Sequence, residues 1–399
     1  MKFISLKSRR KFYANPSSYA YVKMLLLATL FLFIAYIVRF GYGVLLPRIV
    51  EDLQLSHMEA GLAFSLYLLM YSMFSVISGR LFDKIGAKVI SLLCYIYGIG
   101  LMLMGFSNNY YMLALGLVIA GLGSSSSWTP IVALVSGSLP DQWRGRGIGL
   151  LEVGIRISHG ATGLILPILA LTLGWKTCWW IIAILMFIFG FVFQTVVEPR
   201  HLTIRRIAKY REVLLAKQFW LIGVSYSLMA FGSYVITTFI VDFLENEVGM
   251  PYIEASATVS VMGFMGIVGT LILTWLSDRI GRRKILAMCN AFSSISLLFF
   301  FLSPQTAIIK SFLIPITAIY GIFYGALWPT YAACAGDAFS NSVGTVVGLW
   351  TLMSGLSALI APIIGGLTVD ITKSYGIALQ ISCITYALAA VLIILSLKR

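Results

Sequence analysis

Four ionisable side chains interrupt long apolar segments and could bind an anion or carry a proton. Arg39 lies within the apolar stretch 37–43, and Glu152, Arg156 and His159 lie at helical spacing in another. A guanidinium meets a carboxylate through two parallel N–H donors, so each arginine could clamp an organic anion. A histidine beside an acid and a base could accept and release a proton. These residue types predict anion binding and proton movement in an apolar setting.

Each of these assignments has a structural alternative. Glu152 and Arg156 are spaced i, i+4 and could pair on one helix face instead of contacting a solute. Arg39 could likewise meet a partner in the protein. His159 could be a hydrogen-bonded polar residue of the core. Both interpretations stay open for each residue.

Aromatic side chains beside glycine and serine could complete a cavity for a small organic solute: Tyr42, Trp128, Tyr234, Tyr324, Trp328, Tyr331 and Trp350. Aromatic residues on apolar helices also serve in packing or at membrane interfaces, so only some should touch a solute. The residues predicted to bind substrate are Arg39, Tyr42, Trp128, Arg156, Tyr234, Trp328 and Tyr331, and those predicted to couple transport to a proton are Glu152 and His159.

The composition indicates a membrane protein. The chain is 59% hydrophobic and 11% charged, whereas soluble domains carry about 25% charged residues. The formal net charge of +14 could suggest nucleic acid, but most of the bases lie in the tail and in short loops between spans, where they more often report topology. We therefore expect no nucleic-acid partner.

The five cysteines and three histidines are scattered without metal-type spacing, so neither a metal nor a cofactor is predicted.

The elements that must position these residues are predicted to be twelve spanning helices, since a span needs about 20 apolar residues. The predicted limits are 22–47, 59–80, 88–106, 109–136, 146–170, 175–197, 218–243, 254–277, 284–303, 308–335, 343–369 and 375–397. The segments give an N-terminal bundle over 1–197 with a basic cytoplasmic tail, a linker over 198–217 and a C-terminal bundle over 218–399.

The distribution of Lys and Arg predicts the orientation. With the N-terminus in the cytoplasm, only four basic residues are counted on the outer side: Arg48, Lys176, Lys310 and Lys373. This asymmetry predicts a multi-pass protein of the plasma membrane with both termini in the cytoplasm. The basic 198–217 linker is expected to lie along the cytoplasmic surface, near anionic lipid headgroups.

Two charged loops repeat at about half of the chain length, which suggests duplicated halves. The segment 79–88, with Asp83, resembles the segment 275–284, with Asp278. The duplication extends to Trp128-Thr129-Pro130 and Trp328-Pro329-Thr330, and to Gly160 and Pro167, which match Gly355 and Pro362.

These motifs resemble those of the major facilitator superfamily. The loop signature of that family is matched by Gly79, Asp83, Lys84, Gly86 and Lys88, and a degenerate copy contains Asp278, Arg279, Gly281 and Arg282. The resemblance implies an all-α, monomeric membrane protein with twelve transmembrane helices in two pseudo-symmetric six-helix bundles around a central cavity. It also implies rocker-switch alternating access. The residues predicted to gate it are Asp83, Lys84, Lys88, Asp278, Arg279 and Arg282.

The function predicted from these features is secondary active transport of a small organic solute. An organic anion such as a monocarboxylate is expected, with H⁺ as a coupling ion, because two arginines lie within the spans. The stretch 39–47 also resembles first spans of oxalate/formate and monocarboxylate porters, whose basic residues in the eighth or eleventh span are missing here. The alternative is a proton-coupled multidrug or metabolite efflux antiporter. An enzyme is not expected, because no nucleophile or metal cluster is visible.

Overall fold

The computed structural model describes residues 18–139, 141–196, 210–339 and 343–397, almost all of them helical. The helices of the first half are α1 (Ser18–Leu53), α2 (His57–Ile85), α3 (Lys88–Gly105), α4 (Tyr110–Ser124), α5 (Thr129–Ser138), α6 (Asp141–Leu173) and α7 (Trp175–Val196). Those of the second half are α8 (Tyr210–Leu215), α9 (Lys217–Asn246), α10 (Tyr252–Ile280), α11 (Arg282–Leu302), α12 (Ala307–Ser311), α13 (Leu313–Ala338), α14 (Val343–Thr372) and α15 (Gly376–Leu397).

Twelve helical spans are long and apolar enough to cross a membrane, which confirms the predicted number. The helices α4 and α5 together make one span, while α8 and α12 are short connecting helices. The first span is longer than predicted because α1 continues past Pro47 to Leu53. A proline is tolerated inside such a helix when neighbouring helices satisfy the freed backbone groups.

The packing of the spans repeats between the two halves. In the first half α1 packs on α6 and α3 packs on α4 and α7, while in the second half α9 packs on α14 and α11 on α13 and α15. The halves meet mainly where α2 packs against α14 and where α6 packs against α10. Each half therefore presents its second and fifth spans to the other.

Glycines allow these helices to approach closely between the halves. A Cβ atom added to Gly263 of α10 would lie 2.1 Å from the backbone nitrogen of Gly160 in α6. The repeat partner of Gly160 is Gly355 in α14, whose added Cβ would lie 2.9 Å from the Cβ of Ser72 in α2. The duplicated glycine thus occupies matching positions at the two crossings between the halves.

The repeated charged loops are tight turns that need glycine. Gly86, which ends α2, has a φ of 66°, and Gly281, which ends α10, has a φ of 105°. A residue with a Cβ rarely adopts these backbone angles, so the two glycines of the motif allow each chain reversal.

The bundle has two ends, which we name by their loops. The α1–α2 end contains residues 54–56, and the α2–α3 end contains the first charged loop. The predicted basic tail and most of the predicted 198–217 linker lie outside the described residues. The described part of the linker forms α8, where the Trp220 indole donates a 2.8 Å hydrogen bond to the carbonyl of Leu214.

The close approach of helices within one half can be tested at Gly100 of α3. A Cβ there would lie 2.3 Å from the backbone nitrogen of Ala120 in α4. Because backbone cannot move aside cheaply, Gly100→Ala should cost about 1–3 kcal/mol and lower the Tm in detergent. The matched control is Gly149→Ala in α6, where an added Cβ meets nothing within 4 Å. Equal Tm values for the two variants would contradict this account of the packing.

Candidate functional site

A cavity of about 150 Å³ lies between the two halves. Its walls come from α1, α2, α6, α9, α13, α14 and the link between α4 and α5. Among the predicted site residues, the lining includes Arg39, Trp128, Glu152, Arg156, Tyr234 and Trp328. Residues from both halves thus converge on one site.

Arg39 of α1 reaches across the cavity to the second half. Its Nη2 donates a hydrogen bond to the hydroxyl oxygen of Tyr234 in α9. The guanidinium carbon also lies 5.2 Å from the ring centre of Tyr71, 5.3 Å from that of Tyr234 and 5.7 Å from that of Tyr36. Tyrosine faces attract a cation through the ring quadrupole, so three rings hold this guanidinium in place.

Arg156 of α6 is only 3% exposed and also contacts the second half. Its guanidinium carbon lies 5.2 Å from the ring centre of Tyr324 in α13. Gly266 of α10 leaves room for its stem, since a Cβ there would lie 3.3 Å from the Arg156 Cδ. The Nε atom of Arg156 is buried and has no hydrogen-bond partner among the described residues.

The cavity carries an excess of positive charge. Its described lining contains two guanidiniums, Arg39 and Arg156, but only one carboxylate, Glu152. No described carboxylate oxygen lies within 4.0 Å of either guanidinium, so the i, i+4 ion pair of Glu152 and Arg156 is not formed. Phenol and ring contacts lower the cost of burying a cation without neutralising it. The arrangement can therefore accept an anion.

Three lining tyrosines were not predicted: Tyr36, Tyr71 and Tyr226. Tyr36 lies one turn before Arg39, a helical spacing that could have identified it. Trp328 packs edge-on against Tyr226 at 5.3 Å, so this ring extends the aromatic wall. The sequence around Tyr71 and Tyr226 holds no local sign of their position.

The structure places two predicted substrate contacts, Tyr42 and Tyr331, outside the cavity lining. The hydroxyl of Tyr42 is fully buried and donates a 2.8 Å hydrogen bond to the carbonyl of Ala60, which joins α1 to α2. The Tyr331 hydroxyl lies 2.6 Å from Ser225 Oγ and 3.1 Å from Asn290 Nδ2, inside the second half. The rotation of each helix about its own axis turns the ring toward neighbouring helices and away from the cavity.

The two predicted coupling residues occupy different settings. Glu152 lines the cavity and is half-buried. His159 lies behind the lining, with its ring stacked at 3.9 Å on Phe40 and set edge-on to Tyr324 at 6.2 Å. Its Nδ1 atom is buried without a partner among the described residues.

The second charged loop makes its described contacts within its own half. Arg282 lies 2.8 Å from Asp278 and 2.6 Å from Asp337 of α13, and the Arg279 guanidinium stacks on Trp275 at 3.9 Å. In the first loop the predicted gating residues Asp83, Lys84 and Lys88 are exposed. These contacts of the second loop therefore join helices of one bundle.

Sequence comparison identifies the family. The family model described as Major Facilitator Superfamily matches residues 28–306 and 222–399, which together cover most of the chain. The chain belongs to the Major Facilitator Superfamily. As a member of this superfamily with twelve spans, it is a multi-pass membrane transporter and not an enzyme.

Several relatives in this superfamily are named for organic acids. The chain is 22% identical to a probable sulfoacetate transporter of Cupriavidus necator, over 88% of this chain and 87% of the relative. It is 23% identical to the hexuronate transporter of Bacillus subtilis, over 87% and 88%. It is 24% identical to the cis,cis-muconate transport protein of Acinetobacter baylyi, over 84% and 86%.

A solved structure shows the same superfamily fold. It is the crystal structure of a bacterial homologue of the human lysosomal transporter Spinster, in an inward-facing and occupied conformation. Its TM-score is 0.77 at 18% identity, covering 96% of this chain and 98% of that one. The two-bundle architecture is therefore shared at low sequence identity.

The different roles of two tyrosines in α13 can be tested by the same chemical change. Tyr331→Phe should lower the Tm in detergent, because it removes buried hydrogen bonds to Ser225 and Asn290, each worth about 1 kcal/mol. Tyr324→Phe should leave the Tm nearly unchanged, since Tyr324 lines the cavity. A larger loss of Tm in Tyr324→Phe would contradict the placement of the two rings.

Proposed function

We propose that this protein is a secondary active transporter of a small organic anion, such as a monocarboxylate, that works by alternating access. The observation that carries the proposal is the pair of cavity guanidiniums without a described carboxylate within 4.0 Å. A charge at the centre of a span costs about 3 kcal/mol on insertion scales, so it normally marks a ligand pathway or a partner. A carboxylate substrate would supply the missing partner.

The chemistry of the cavity favours an anion with a small organic body. A guanidinium fork matches a carboxylate through two hydrogen bonds, and Arg39 and Arg156 approach the cavity from different helices. The walls between them are aromatic and suit the flat or apolar part of an organic acid.

The size of the cavity also bears on the alternative of multidrug efflux. Sites for drug-sized ligands measure about 300–1,000 Å³, whereas this cavity measures about 150 Å³. A cavity near this size accommodates a molecule as small as benzene. Together with relatives named for sulfoacetate, hexuronate and muconate, the size supports a small organic acid.

The transport cycle that we propose uses the two bundles over 1–197 and 218–399 as moving units, with the 198–217 segment as their linker. The protein is a plasma-membrane monomer with its N-terminus, C-terminus and α2–α3 end in the cytoplasm. The charged loops around Asp83 and Asp278 gate that end, with Lys84, Lys88, Arg279 and Arg282 as their basic members. Glu152, with His159 behind it, is proposed to accept a coupling proton.

The anion-binding role of the arginines can be tested with purified protein in liposomes. The wild-type chain should exchange a labelled monocarboxylate, drawn from a panel that includes dicarboxylates and sulfonates. Arg39→Ala and Arg156→Ala should each lower exchange by 100-fold or more, on the order of 3 kcal/mol, because a charged hydrogen bond is lost. Arg39→Lys should recover only part, since an ammonium lacks the planar fork.

The matched control for these variants is Arg146→Ala, an exposed arginine stacked on Trp143 and absent from the cavity lining. It should exchange at the wild-type rate. Normal exchange by Arg39→Ala and Arg156→Ala would contradict the anion-binding role. Transport of lipophilic cations with no transport of any acid would support the efflux alternative instead.

The coupling role of Glu152 predicts a separation of exchange from proton-driven uptake. In Glu152→Gln, exchange of labelled for unlabelled anion should persist, because exchange needs no net proton movement. Uptake driven by an imposed pH gradient should fall at least about tenfold, since the amide cannot release a proton. Both rates are measured in the same liposome preparation. Unchanged pH-driven uptake in Glu152→Gln would assign the coupling proton elsewhere.

A further inference from the structure

Away from the cavity, an ionisable cluster joins the two halves at the α1–α2 end. His57 is the first residue of α2, Asp242 lies near the end of α9 and Asp370 lies near the end of α14. The His57 Nε2 atom is 3.0 Å from Asp242 Oδ2, and its Nδ1 atom is 3.2 Å from Asp370 Oδ1. One imidazole of the first half therefore touches two carboxylates of the second half.

The short contacts in this cluster favour an additional proton. A carboxylate only accepts hydrogen bonds, and a neutral imidazole has a single N–H. A neutral ring would therefore turn its lone pair toward one of two carboxylate oxygens that lie 3.0 Å and 3.2 Å from its nitrogens. A second proton, on the ring or on one of the carboxylates, removes this repulsion between the halves.

The remaining positions of both carboxylates are already filled by other donors. Asp242 accepts hydrogen bonds from the Tyr375 hydroxyl and, at 2.6 Å, from Asn246 Nδ2. Burial and the Asp242 carboxylate raise the pKa of Tyr375, so this phenol stays protonated and donates. Asp370 accepts from the backbone amides of His57 at 3.0 Å and Met58 at 2.8 Å. Besides these donors, each carboxylate contacts the imidazole of His57.

Other charged groups surround the cluster on each adjoining element. Arg48 of α1 lies 2.5 Å from Glu245 of α9 and 2.9 Å from Glu51. Glu247, just after α9, accepts a 2.6 Å hydrogen bond from the Tyr375 amide. The pair of Arg48 and Glu245 crosses between the halves beside His57, so it provides a second tie that does not involve the imidazole.

We propose that His57, Asp242 and Asp370 form a proton-binding site that holds the α1–α2 end closed while the proton is bound. When the proton leaves, an imidazole lone pair faces a carboxylate oxygen, and one of the two contacts between the halves becomes repulsive. The halves can then separate at this end. The inference rests on the alternating-access transport proposed above.

The site faces solution at the α1–α2 end, which determines what it can do. The side chains of His57 and Asp370 are 26% and 23% exposed, while that of Asp242 is 1% exposed. The proton is therefore exchanged with the medium at that end and is not carried across the membrane. Acid there favours the state that is closed at the α1–α2 end.

The test measures the closure of this end without any substrate. Nitroxide labels are placed on cysteines introduced at Gln54 and Ile371, two exposed positions near the cluster. Distances are recorded by pulsed electron paramagnetic resonance at about pH 5 and about pH 8, which bracket the range where histidine ordinarily titrates. The native chain is treated with the label in parallel, which measures background labelling of its own cysteines. Four of these five cysteines are buried and one is half-buried.

The expected result is a short distance at low pH and a ratio of closed to open states that falls about fivefold or more at high pH. His57→Gln and Asp242→Asn should each abolish this pH dependence. Glu245→Gln should reduce the closed fraction at both pH values while the pH dependence remains. This variant shows whether a loss of pH dependence is specific to the imidazole.

Glu254→Gln is the matched control, because it neutralises an exposed carboxylate in the first turn of α10, outside the cluster. It should keep the pH dependence of the distance. Loss of that dependence in Glu254→Gln, or its persistence in His57→Gln, would overturn the inference. Because no substrate is used, this outcome is independent of whether the protein transports a carboxylate.

Discussion

A positive charge buried among apolar helices needs a compensating group, and this requirement organises the molecule around its cavity. Burying one guanidinium in the middle of a span costs about 3 kcal/mol. Arg156 and Arg39 reduce that cost with tyrosine faces, each contact worth about 0.5–2 kcal/mol. The tyrosines Tyr234 and Tyr324 belong to the second half. Contacts between the two halves therefore help the charges of the first half to be tolerated.

The duplicated features and the unrepeated ones have different tasks. The glycines Gly160 and Gly355 occur once in each half and sit at the equivalent helix crossings, α6 on α10 and α14 on α2. They let either half pack against the other by the same geometry. Arg39, Glu152 and Arg156 have no counterpart in the second half. The duplication therefore supplies a symmetric scaffold, and the charges of one half make the cavity chemically asymmetric.

The sequence predicted the features that depend on local patterns. Apolar length predicts the twelve spans, and Gly86 and Gly281 indicate the turns. The cavity is less predictable, because Tyr42 and Tyr36 lie in the same helix and only its rotation decides which ring faces inward. The contact between His57 and Asp370 joins residues 313 positions apart. Such a contact depends on how the halves dock, which no local spacing encodes.

In the transport cycle proposed above, the bond from Arg39 to Tyr234 would make anion binding and domain motion draw on the same donors. A carboxylate that takes the guanidinium fork replaces a tie between the halves with a tie to itself. Part of its binding free energy then offsets the loss of the contact between the halves. A ligand shifts an equilibrium only through its differential affinity for the two states. A tight-binding acid that leaves this tie intact would occupy the cavity as an inhibitor, whereas a cargo molecule must be able to break it.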